Sequence, residues 1–365
     1  MFKGKQVICT HGHISTPIHF RGYAANLIAL RNPGGDDLKI PEAAMQEAMS
    51  RHLKMLDERN IDIQLISPRP VAMMHWERPF IQEKWARTTN DTIALQCRME
   101  KRFVGIAQLP QTAGLNIKKC VAELDYAVKE LGFVGATLNP DPAGDRQSPG
   151  LDDEAWYALY EKAEELDATL VVHPSVSKDP RIERLSHSYQ YNNLTEETLA
   201  TLLLEQGSVF ERFPKLRIVI CHCGGALRRL QASGEAYDAC LPLDAPGNKI
   251  GLSGQDSGGQ VGTGRVKRVK KPRPDLRNNL FFDTCAYDPW FLGAAIHQRG
   301  PAQMVFGSEV PGSGSAQQNP FTGKPSDDVV ATINQFDFLT DEQRMDIYHN
   351  NPRKVFPLME KLGLF

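Results

Sequence analysis

Short apolar runs alternate along this chain with longer stretches whose apolar residues recur every three or four positions. The short runs lie at 6–10, 62–66, 103–107, 133–138, 169–172, 216–221, 280–283 and 303–306, each rich in Val, Ile, Leu or Phe. Unbroken apolar character over so few residues predicts strands buried on both faces, as in a parallel sheet. Helical periodicity covers 42–56, 82–101, 117–131, 152–166, 195–205 and 289–298. Acids at Asp152, Asp153 and Glu154 suit a first helical turn, where the macrodipole favours negative charge. Thr195, followed by Glu196 and Glu197, reads as another helix start. Eight strands, each followed by a helix, predict an α/β fold: a distorted (β/α)8 TIM barrel, with residues 1–365 as one domain. A doubly wound sheet shares the alternation. The tail from 326 to 365 reads as two or three C-terminal helices packed back on the barrel.

What ends the strands carries the chemistry. Strand one runs into His11-Gly-His13, strand five into His173, strand six into His222 and strand eight into Glu309. Side chains alternate along a strand, so His11 and His13 share a face, and Gly12 keeps the point between them uncrowded. Only a closed sheet brings strand eight beside strand one, so that all four ends converge. Imidazoles with a carboxylate suit zinc, or another divalent ion such as manganese, with a position left open for water or substrate. His222 reads either as a ligand or as a general base beside it. Further polar groups follow other strands: Ser67-Pro-Arg69, Asn139-Pro-Asp141, His187-Ser-Tyr189-Gln-Tyr191-Asn192-Asn193 and Asp283-Thr-Cys285. Arg69 is the natural clamp for a substrate carboxylate, its other reading being an ion pair across the barrel top. Asn139 either contacts substrate or caps the turn before Pro140. His187 either binds substrate or hydrogen-bonds within its loop.

Composition narrows the partners. The formal net charge is −2, so no overall field favours nucleic acid or a membrane surface. No apolar run approaches the ~18 residues of a membrane span, and the N-terminus lacks a secretion-type apolar segment. Seven cysteines, mostly within strand or helix patterns, point to reduced thiols and a cytoplasmic setting. No Gly-x-Gly-x-x-Gly or Walker sequence opens a helix, and Gly312-Ser-Gly-Ser-Ala316 lacks the final glycine of a serine-hydrolase elbow. The stretch at about 244–277 is rich in Gly, Ser and Asp and then basic, from Arg265 to Arg273. It reads as a long loop: solvated, a contact in a homo-oligomer (dimer or tetramer), or a lid that draws in an anionic substrate. It lacks the interleaved aromatics of a nucleic-acid surface.

Together these residues resemble the amidohydrolase superfamily, in the branch that holds aminocarboxymuconate-semialdehyde decarboxylase and the benzoate decarboxylases. The matching segments include His11-Gly-His13, Ser67-Pro-Arg69, Leu138-Asn-Pro-Asp-Pro142, Val172-His173, Tyr191-x-Asn193, His222-x-Gly-Gly225, Phe281-Phe-Asp-Thr-Cys285 and Gly307-Ser-Glu309. Glu rather than Asp at 309 is the pattern of the group of 4-oxalomesaconate hydratases and zinc-dependent C–C hydrolases of meta-cleavage products. The resemblance implies one zinc on His11, His13, His173 and Glu309, with His222 catalytic and Glu309 serving it. It implies that Arg69, His187 and Asn192 hold the carboxylate or oxo groups of a small-molecule substrate. The implied activity is hydration of an unsaturated oxo-carboxylate in aromatic-compound catabolism. Hydrolysis of a C–C bond and decarboxylation of an aromatic or muconate-type acid are the alternatives, and a non-catalytic binding barrel is the reading from another class. Two stretches depart from that group: Ala226-Leu-Arg-Arg-Leu230 after strand six, where the relatives have Pro-Tyr-His, and Val310-Pro-Gly-Ser-Gly-Ser315, where they have Gly-Ala-Val-Arg-Gly.

Overall fold

Eight parallel strands follow one another around a single sheet in chain order. The computed structural model describes residues 1–30, 36–226 and 275–364. The strands are β1 (Ile8–His13), β2 (Ile63–Ser67), β3 (Phe103–Gln108), β4 (Gly135–Leu138), β5 (Thr169–Val172), β6 (Ile218–Ile220), β7 (Leu280–Asp283) and β8 (Met304–Val305). Nearly every strand residue is buried, as expected of a parallel sheet with helices outside and packed side chains within. The barrel closes between β8 and β1 without a full ladder. The Thr10 amide donates to the Phe306 carbonyl at 2.7 Å and the Glu309 amide to the His11 carbonyl at 2.8 Å. Gly307 permits that approach: a Cβ there would sit 2.9 Å from the His11 Cβ and 3.0 Å from the Asp283 Cβ.

The helices are α1 (Ile18–Leu30), α2 (Glu42–Glu58), α3 (Pro79–Met99), α4 (Ile117–Lys129), α5 (Tyr157–Leu166), α6 (Pro180–Glu183), α7 (Ser188–Gln206), α8 (Val209–Arg212) and α9 (Pro289–Arg299). All eight expected strands are present, within a few residues of the expected ends. Three expectations about helices need correction. Helix α1 had no counterpart, so β1 is followed by two helices. Helix α7 begins at Ser188 instead of 195, which places Glu196 and Glu197 in its interior rather than its first turn. The tail holds shorter pieces than expected: Val329–Asn334, Asp341–Met345, Asn351–Val355 and Leu358–Lys361, with a π-turn at Asp346–Asn350. Thr340 and Gln343 form a capping box that starts the second of these. The Ala226-Leu-Arg-Arg-Leu230 departure beyond Ala226, and the basic loop up to 274, lie outside the described residues.

Candidate active site

Four histidines meet at the C-terminal end of the barrel. The His11 and His173 ring centroids lie 5.2 Å apart, as do those of His11 and His13. His222 lies 5.3 Å from His11 and 5.0 Å from His173. In each ring Nδ1 has a partner of its own. His11 Nδ1–H donates to Asp283 Oδ2 at 2.7 Å. His173 Nδ1–H donates to the Pro174 carbonyl at 2.8 Å. His222 Nδ1–H donates to Glu197 Oε1 at 2.6 Å. His13 Nδ1 lies 3.1 Å from Ser67 Oγ, whose own proton goes to the Gly12 carbonyl at 2.9 Å. These partners assign the proton to Nδ1 and turn Nε2 inward. All four Nε2 atoms are buried without a hydrogen-bond partner.

Glu309 completes the group. One ligand atom each from His11, His173, His222 and Glu309 lies within 4.8 Å of all the others, and all four residues are buried or nearly so. His13 stands just outside this tightest set, its Nε2 3.8 Å from Glu309 Oε1. The buried Nε2 lone pairs of His11, His13 and His173 beside this carboxylate fit a divalent cation. The charge balance agrees. Burial pushes His13 down to about 4, and burial with the nearby histidines holds His173 well below its usual value, so both are neutral donors. Burial alone would raise Glu309, but His13 and the other histidines hold it well below the usual carboxylate range. His222 differs. Burial opposes its charge, yet contact with the Glu197 carboxylate outweighs burial and raises the imidazole. Burial in turn raises Glu197, tempered by His222.

Local backbone explains how the sequence makes these positions. His222 and Glu309 both sit at positive φ, 47° and 60°. Such strain costs of order 1–3 kcal/mol per residue and gathers at functional sites. After His222 the chain stays in this region through Gly225, at φ 73°, where a Cβ would meet Thr198 Oγ1 at 2.5 Å. Glu309 is gripped from behind: Tyr287 O–H donates to its Oε2 at 2.7 Å. The Tyr287 ring fits only because residues 312 and 314 are glycines; a Cβ at Gly314 would come within 2.6 Å of it. Gly12 leaves room for Gln64, whose Cδ would lie 2.3 Å from a Cβ there. The Gln64 amide donates to the Val310 carbonyl at 2.9 Å and its Oε1 accepts from His52 at 2.6 Å, which ties the end of β8 to β2.

A cavity of about 550 Å³ opens over this floor, lined by His13, His173, Glu309, Arg69, Tyr189 and Asn193 among others. Arg69 therefore reaches the cavity as expected. Three other expected substrate contacts do not line it. Asn139 is buried and spent on structure: its amide side chain meets His75 at 2.9 Å and its Oδ1 accepts from the Asp141 amide at 3.1 Å. Asn192 donates to the Ser175 carbonyl at 3.0 Å and faces away, leaving its neighbour Asn193 on the cavity. His187 is exposed at the start of α7. Glu197 and Tyr287 were not foreseen. One signal was available for Glu197: Tyr189, Asn193 and Glu197 follow at i, i+4 spacing on a single helical face.

Fold and site together define a metal-dependent barrel enzyme. A family model described as Amidohydrolase matches residues 9–358, and the chain belongs to that family. Over 316 residues it is 33% identical to the 2-keto-4-carboxy-3-hexenedioate hydratase of Sphingobium sp. (strain NBRC 103272 / SYK-6), covering 85% of this chain and 83% of that one. The crystal structure of 4-oxalomesaconate hydratase from Rhodopseudomonas palustris superposes with a TM-score of 0.78 at 28% identity, covering 98% of both chains. A dihydroxybenzoic acid decarboxylase from Polaromonas sp. JS666, solved with bound manganese, shares the fold at a TM-score of 0.66 and 20% identity over 99% of each chain. No helix among the described residues is long and apolar enough to cross a membrane.

Proposed function

We propose that this chain, with residues 1–365 as one working domain, adds water across the activated double bond of a small unsaturated oxo-carboxylate. The observation that carries the reading is the set of four partnerless Nε2 atoms gathered with the Glu309 carboxylate, of which His13, His173 and Glu309 open onto a cavity that Arg69 also lines. His11, His13, His173 and Glu309 would hold the metal, which we take to be zinc. When bound, that ion supplies Lewis acidity and acidifies water. Asp283, Ser67 and the Pro174 carbonyl orient the histidine ligands, and Tyr287 fixes which Glu309 oxygen faces the site. His222 is the proton carrier. Glu197 holds its Nδ1–H, so Nε2 gives and takes the proton at the floor, with Glu309 beside it. Arg69 binds a substrate carboxylate, and Asn193 offers its amide to an oxo group. Hydration is favoured over C–C hydrolysis and decarboxylation because two hydratases match over most of their length. A cytoplasmic setting and a homo-oligomeric state complete the proposal; six described cysteines are free thiols, which supports the former.

The test is direct. Zinc-loaded protein incubated with 2-keto-4-carboxy-3-hexenedioate in isotopically labelled water should lose the conjugated absorbance and gain one labelled oxygen in the product. Release of carbon dioxide, or of a shorter cleavage product, in place of hydration would overturn the reading.

A further inference from the structure

Three arginines line the cavity: Arg69 after β2, Arg21 on α1 and Arg51 on α2. Among the described residues the sole acid lining it is Glu309, already committed to the metal ligands. None of the three guanidinium groups has an ion-pair partner among the described residues, whereas Arg59, Arg87 and Arg102 each have a carboxylate within 3 Å. Arg69 feels the imbalance: burial, and then the like charge of Arg21, draw its guanidinium down, against the pull of Glu309. Arg21 and Arg51 are exposed, so they stand on the solvent side of the cavity, while His13, His173 and Glu309 line its buried side. The two arginines ride on the two helices that follow β1, where a regular barrel unit has one. Ala48 and Met55 of α2 add apolar lining to the cavity, and Ser15 and Thr16 add polar lining.

We infer that Arg21 and Arg51 form an outer anion subsite that binds a further carboxylate of the substrate, so that the enzyme selects polycarboxylates held at both ends. An anion bound there satisfies two guanidinium groups that have no ion-pair partner among the described residues, through charge-assisted hydrogen bonds, and relieves the repulsion between Arg21 and Arg69. A cavity of about 550 Å³ accommodates a branched acid of this kind with its carbon spine on Ala48 and Met55. The inference rests on the proposed function only in placing the inner end of the substrate at Arg69 and the metal.

Calorimetry on the metal-loaded full chain separates the two ideas. The probes are tricarballylate, a saturated tricarboxylate, and glutarate, a dicarboxylate. Wild-type protein should bind tricarballylate about ten- to a hundredfold more tightly than glutarate, the effect of an added charge-assisted contact. The Arg21→Gln/Arg51→Gln double variant should lose that preference while it retains glutarate binding, metal content and melting temperature. Equal affinity for the two acids in wild type, or equal losses for both in the variant, would overturn the subsite. The wild-type preference, lost in the double variant, together with no hydration activity would instead sink the hydratase reading and leave the subsite standing.

Discussion

The floor of the cavity and its outer wall are built on opposite rules. On the floor each functional side chain is buried and held by a second group: His11 by Asp283, His222 by Glu197, His13 by Ser67, Glu309 by Tyr287. The backbone beneath is strained and hemmed in, so that glycine is required at 225, 312 and 314. On the outer wall, Arg21 and Arg51 project from helices into solvent with no partner among the described residues. The difference shows which part of the site carries chemistry and which carries choice. A metal floor must be preorganised to well under an ångström, and every ligand needs its supporting contact. A recognition wall needs only the right charge within reach, and it can change without disturbing the barrel.

The comparison breaks most visibly at the ligands. His173→Ala should abolish stoichiometric metal binding and hydration together, since it removes one of the convergent Nε2 donors. Metal analysis after dialysis checks this; a variant that keeps a full complement of tightly bound metal would contradict the floor as drawn. The next largest effect belongs to Glu197→Gln. It keeps the shape of the contact but takes away the carboxylate that charges and orients His222. We expect kcat to fall by ~10²–10⁴-fold, the usual contribution of an acid–base group, with metal content unchanged. A loss of metal equal to the loss of rate would make His222 a ligand and not the proton carrier. That outcome would give the tightest four-residue set, which includes His222 and omits His13, the literal meaning of a coordination sphere.

The floor was largely legible in the sequence and the wall was not, for a physical reason. Parallel strands are buried on both faces, so they appear as uninterrupted apolar runs, and a polar residue at their end stands out. By this pattern His11, His13, His173, His222 and Glu309 stand out in the sequence. The supporting groups come from elsewhere. The sequence pattern starts a helix at 195, where Glu197 reads as an ordinary first-turn acid, whereas α7 begins at Ser188. The burial of Glu197 shows only when the helix is extended back to Ser188 and the face shared with Tyr189 and Asn193 appears. The motif points to Asn192 and not Asn193 for the same reason: one residue on a helix is ~100° of rotation, and a motif gives no rotation. Arg51 sits among the polar positions of an amphipathic helix, where nothing distinguishes a solvated arginine from one that overhangs a cavity.

Tyr287 sharpens the comparison at a smaller scale. Tyr287→Phe leaves the ring packed against Gly314 and removes the hydroxyl, with its hydrogen bond to Glu309 Oε2. Loss of one such outer contact weakens metal affinity by about 10–100-fold. Competition with a chromogenic chelator measures this independently of turnover. If affinity stays the same, the grip on Glu309 comes from the strained backbone and the Glu309 amide bond to His11 alone.

The smallest expected effect concerns acid, and it asks whether the buried side of the molecule sets the limit of stability. His75 is fully buried against Asn139 at the inner end of the barrel top, and burial pushes it down to about 3. In the unfolded chain it titrates near 6.5. Below that value the unfolded state binds a proton that the folded state refuses, so stability falls as pH drops from about 6.5 toward about 3. By linkage His75 alone accounts for about 2 kcal/mol of destabilisation between pH 7 and pH 5. His75→Gln keeps a hydrogen-bonding group beside Asn139 but cannot titrate. Its denaturant-unfolding free energy should therefore decline less over that interval, by about the same amount. Parallel pH profiles for the two proteins would mean that His75 takes up its proton in the folded state, which requires water to reach a residue 1% exposed.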